Sequence, residues 1–187
     1  MGNSVASGYA TTEQLMPIEI TIDYDKFMSR HNPMGELGDA VLNGIKSGIK
    51  AFKPMLRDKL KENLANFGLA DSEIANDFTI EITDDGNIEL IIGTDYAIYV
   101  EMGTGIVGKY DSHPKPQVDW EYDVNNHGSQ GWYYYDESRG GKLRWTMGQP
   151  SRPFIYLTWL WARYSFTNTL DAGIRKEIKK WERMVGR

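Results

Sequence analysis

Apolar residues recur along this chain with two periods, and each period predicts an element. Ile18, Ile20, Ile22 and Tyr24 alternate with Glu19, Thr21 and Asp23. A period of two marks a strand with one buried face. His31, Asn32, Pro33 and Gly35 interrupt it. Leu37, Val41, Ile45, Ile49, Phe52, Leu56, Leu60 and Leu64 then step by three or four, a single stripe along one long helix. Pro54 falls inside that stripe and predicts a kink or a split near residues 50–53. Phe67 and Gly68 mark the helix end.

Alternation returns at Phe78, Ile80 and Ile82, and again at Ile88, Leu90 and Ile92. The turn signal Asp84-Asp85-Gly86-Asn87 between them predicts a hairpin. Residues 96–102 (YAIYVEM) are rich in Tyr, Ile and Val and predict a third successive strand. Residues 105 to about 149 lose both periods. They are rich in Gly, Pro, Asp and aromatics, and a stretch of that kind is a functional loop or a two-stranded excursion. Trp132, Tyr133, Tyr134 and Tyr135 have high β propensity, so a protruding hairpin is expected there. Ser151-Arg152-Pro153 predicts the start of a final helix, with Ser151 as N-cap and Pro153 in the first turn. The expected fold is α+β. One antiparallel sheet of about four strands is packed by a long helix in the N-terminal half and by a C-terminal helix. Residues 1–16 are expected to form a flexible arm, and residues 17–187 one domain.

The same stretch carries a deceptive motif. Gly103, Gly105 and Gly108 spell G-x-G-x-x-G, and 103–109 spell G-x-x-x-x-G-K. Both motifs cradle phosphate only when the glycine turn opens a helix. Pro114 and Pro116 follow closely, and Tyr110 stands where a P-loop needs Ser or Thr for magnesium. The expectation is a strand running into a glycine-rich loop with no helix behind it.

Composition narrows the remaining chemistry. A net charge of −5 excludes a general nucleic-acid binder. The chain has no cysteine, so thiol nucleophiles, disulfides and Cys-based metal sites are excluded. His31, His113 and His127 have no ligand partner at helical spacing, and each is expected to be a surface-loop residue. No metal, cofactor or catalytic residue is expected. The aromatic excursion also carries Asp119, Glu121, Asp123, Asp136 and Glu137, which would repel phosphate. Trp132, Tyr133, Tyr134, Tyr135 and Trp145 therefore fit a protein interface. The basic run after residue 175 fits a helix C-terminus with a solvated face.

Tyr96, Ala97, Tyr99, Val100, Glu101, Met102, Gly103, Thr104 and Gly105 resemble the Y-A-x-Y-V-E-[FM]-G-T signature of a phage family. That family is the tail-completion, or head–tail joining, proteins of long-tailed bacteriophages. The lead-in to the last helix, with Arg152, Pro153 and Phe154, is similar to the family's, as are the 131–134 and 145–148 segments. Residues 67–72 depart from the family's usual segment after the first helix.

The resemblance implies a structural virion protein of the neck, not an enzyme, made in the host cytoplasm and assembled at the head–tail interface. It implies a homo-oligomeric ring, usually a hexamer. The ring would lie between the head-completion or stopper protein and the tail terminator, with DNA passing through the lumen without sequence-specific binding and no membrane involved. In that setting the 131–135 hairpin and the N-terminal arm would make subunit or partner contacts. The alternative is a carbohydrate-binding or hydrolytic accessory protein using the Trp/Tyr loop, which requires glycan binding that is lost in Trp132→Ala. Neither ATP nor NAD is expected to raise the melting temperature. A nucleotide-dependent rise that vanishes in Lys109→Ala would contradict this.

Overall fold

The computed structural model describes residues 18–20, 35–83, 87–116, 119–123, 130–136 and 140–185. The 1–16 arm, the 21–24 part of the first expected strand, His31, His127 and the 84–86 turn lie outside the described residues. β1 (Ile18–Ile20) is followed by α1 (Gly35–Asn66) and a single turn, α2 (Glu73–Asn76). Next come β2 (Phe78–Ile82), β3 (Ile88–Ile92) and two short helices, α3 (Ala97–Met102) and α4 (Gly105–Tyr110). β4 (Trp132–Asp136), β5 (Lys142–Thr146), β6 (Gly148–Gln149) and α5 (Phe154–Val185) complete the chain.

The fold is α+β and antiparallel, but the strands do not form one four-stranded sheet. β3 pairs with both β1 and β2, in the order β1-β3-β2. β4 and β5 form a separate two-stranded ribbon. The strand expected at 96–102 is the helix α3. Ala97, Val100 and Glu101 are buried, spaced i, i+3, i+4, which is a helical face. A short apolar run is ambiguous by itself, and tertiary packing overrides its β propensity here.

α1 follows its predicted stripe. Ile45, Ile49, Phe52, Leu56, Leu60 and Leu64 are buried and meet Phe78, Ile80, Ile88 and Leu90 from the inner sheet face. Leu37, the first residue of the stripe, is exposed. Pro54 does not split the helix. It cannot donate to the Lys50 carbonyl, but both residues are exposed, so water can take that acceptor. The helix ends where predicted. Gly68 adopts φ 71°, its amide donates to the Ala65 carbonyl, and the Leu69 amide donates to the Leu64 carbonyl. That pair of bonds is a Schellman stop, and the left-handed residue in it costs glycine nothing.

α5 packs antiparallel along α1. Phe52 stacks on Trp161 at 5.8 Å and meets Phe166 edge-on at 5.0 Å. Nearer the sheet, the buried Asn63 amide donates to Thr158 Oγ1 at 2.9 Å. Farther out, glycines set the spacing. A Cβ on Gly44 would lie 2.5 Å from the Ile174 Cα, and one on Gly173 would lie 2.4 Å from the Gly44 carbonyl oxygen. The two backbones are therefore in direct contact, and no side chain fits between them.

Gly44→Ala gains about 1 kcal/mol of helix propensity. It must also push two helices apart, and overpacking of that kind costs about 1–3 kcal/mol. Urea unfolding is expected to show a net loss of up to about 2 kcal/mol. A stabilised variant would contradict the close crossing.

Candidate functional site

The motif residues converge on one carboxylate. Glu101 leaves α3 with its side chain buried beneath the start of α5. The Pro153 carbonyl supplies the first acceptor of α5 and receives the Leu157 amide at 3.0 Å. Proline has no side-chain acceptor for the amides before that one, so a helix begun this way leaves donors open. Glu101 fills the gap from 54 residues away. Its Oε2 accepts from the Ile155 amide and its Oε1 from the Tyr156 amide, each at 2.9 Å. The Phe154 amide bonds to the Arg152 carbonyl, so the first turn of α5 has every donor satisfied. A negative charge at this end also suits the helix dipole.

His113 completes the cluster. Its Nε2 lies 3.2 Å from Glu101 Oε1, and its Nδ1 accepts the Lys115 amide at 3.0 Å. An accepting Nδ1 puts the ring proton on Nε2, which then donates to Glu101. The ring also meets Tyr156 edge-on at 5.1 Å. The expectation of a surface histidine fails here, because His113 is buried beside its carboxylate partner. Sequence spacing could not show this, since the partner is on another element.

Ser151 does not cap α5. Its Oγ donates to the Glu101 carbonyl at 2.6 Å and its amide to the Asp111 carbonyl at 3.0 Å. The Arg152 amide donates to the Val100 carbonyl, and Gln149 Nε2 donates to the Tyr99 carbonyl. Residues 99–101 and 149–152 are thus laced into one clasp, which roots both ends of the excursion. Tyr96 lies at its edge. Its hydroxyl is pushed above the usual phenol range, first by burial and then by the nearby Glu73 carboxylate.

The glycine motif has a structural reading. A short helix, α4, does open at Gly105, contrary to expectation, and it ends at Tyr110 before the prolines. It follows a helix, however, not a strand. The glycines also face the chain's own backbone. A Cβ on Gly103 would lie 2.7 Å from the Ser151 amide nitrogen, and one on Gly108 would lie 2.9 Å from the Gln149 carbonyl oxygen. Residues 147–151 fill the place a phosphate would need. Gly103 and Gly105 also adopt positive φ, at 81° and 64°. Thr104 and Gly105 bridge to Gln149 and Gly148, and the Gly103 carbonyl accepts Trp120 Nε1 at 3.1 Å. Trp120 in turn packs against Tyr99 at 5.7 Å.

Beyond the clasp, β4 and β5 form the expected ribbon. Tyr133 pairs with Trp145 and Tyr135 with Leu143, so these four share one face. All four are exposed. Tyr134, Asp136, Lys142 and Arg144 take the other face, where Arg144 meets Asp136 at 3.1 Å. The structure therefore unites Tyr96–Gly105 motif residues with Arg152, Pro153 and Phe154, and it separates both from the exposed ribbon. Among the described residues, no group of three His, Asp or Glu side chains could hold a metal ion. No described helix is long and apolar enough to cross a membrane.

No family model, curated protein or solved structure gives a significant match to this chain. The resemblance to tail-completion proteins rests on the motifs alone.

Glu101→Ala is expected to destabilise the protein by about 3–5 kcal/mol, since it removes one side of a buried, fully bonded charge site. Glu101→Gln keeps acceptor capacity on one oxygen and should cost less, about 1–3 kcal/mol. Denaturant midpoints at constant m-value measure both. Equal stability of Glu101→Ala and the parent would rule out the carboxylate as the element that holds the clasp.

Proposed function

We propose that this chain is a structural bacteriophage protein that assembles as a ring at the head–tail interface. In this reading the ring joins the head connector or stopper to the tail terminator and leaves a channel for DNA. The observation that carries it is the clasp. The signature Tyr96, Ala97, Tyr99, Val100, Glu101, Gly103, Thr104 and Gly105 closes on the Arg152-Pro153-Phe154 lead-in through Glu101, and these are the motifs of the resemblance. The same clasp roots an exposed aromatic ribbon of the kind that protein interfaces use.

Charge supports the channel. Glu81 and Glu89 stand directly across from each other on the outer sheet face, and the β1 register pairs position Glu19 with Glu89. Like charges directly opposite cost stability, so the Glu81 and Glu89 pair invites a functional reason. An acidic wall does not grip a phosphate backbone, and DNA can slide past it.

Deleting the gene from the phage that carries it should leave DNA-filled heads and finished tails unjoined and separable by gradient sedimentation. Adding the purified protein should restore joining. Infectious, joined particles formed without it would end this proposal.

A further inference from the structure

No further inference is drawn: the strongest candidate, the groove of about 600 Å³ between the start of α1 and the end of α5, sets exposed Met184 and Val185 beside acidic Glu36 and Asp39, and nothing in the structure shows what covers it.

Discussion

The structure depends on one buried carboxylate. Glu101 accepts two amides at the start of α5 and the imidazole N–H of His113. A buried anion is tolerable only when its acceptor sites are filled and positive potential surrounds it, and a helix N-terminus provides both. The consequence reaches beyond the bond itself. α5 runs for 32 residues from that point, so fixing its first turn fixes the direction of a helix about 48 Å long. The same residue ties α3 to the segment that closes the excursion. Its carboxylate thereby sets the start of the helix, and its main-chain carbonyl helps to hold the root of the ribbon.

The second constraint is the crossing of α1 and α5. Gly44, Gly48 and Gly173 remove the side chains that would hold the axes apart, and backbone meets backbone. Below that point Phe52, Trp161 and Phe166 fill the widening gap, and Asn63 to Thr158 closes it near the sheet. Each section of the helix pair is therefore matched to its local separation. The sheet covers only the end near Leu56, Leu60 and Leu64, where Arg57 lies over the Phe78 ring at 5.5 Å. The opposite end of the pair keeps exposed apolar residues such as Leu37, Met184 and Val185. The ribbon and that end share the exposed apolar surface with scattered residues such as Tyr110, Tyr164 and Ile91.

Long periodic segments are legible from the chain alone. The α1 stripe, its glycine stop, the β2–β3 pairing and the β4–β5 ribbon all follow from local pattern, because each is decided by residues within a turn or two. Net charge and the absence of cysteine likewise need no coordinates. Residues 96–102 resist such reading, because seven apolar-rich residues suit a strand or a helix equally well. What decides between them is the burial of Ala97 and Val100 in the core and of Glu101 under the start of α5, which lies more than fifty residues downstream. His113 escapes for the same reason, since its partner is distant in sequence. The glycines look like a phosphate cradle because glycine signals close approach without saying what approaches. Here it is the backbone of residues 147–151.

Periodicity and turn chemistry act locally, so they suffice to say which segments are helix and which are ribbon. What Glu101, His113 and the glycines are for emerges only on folding. Burial and hydrogen bonding between distant segments are properties of the folded chain, and no local pattern encodes them.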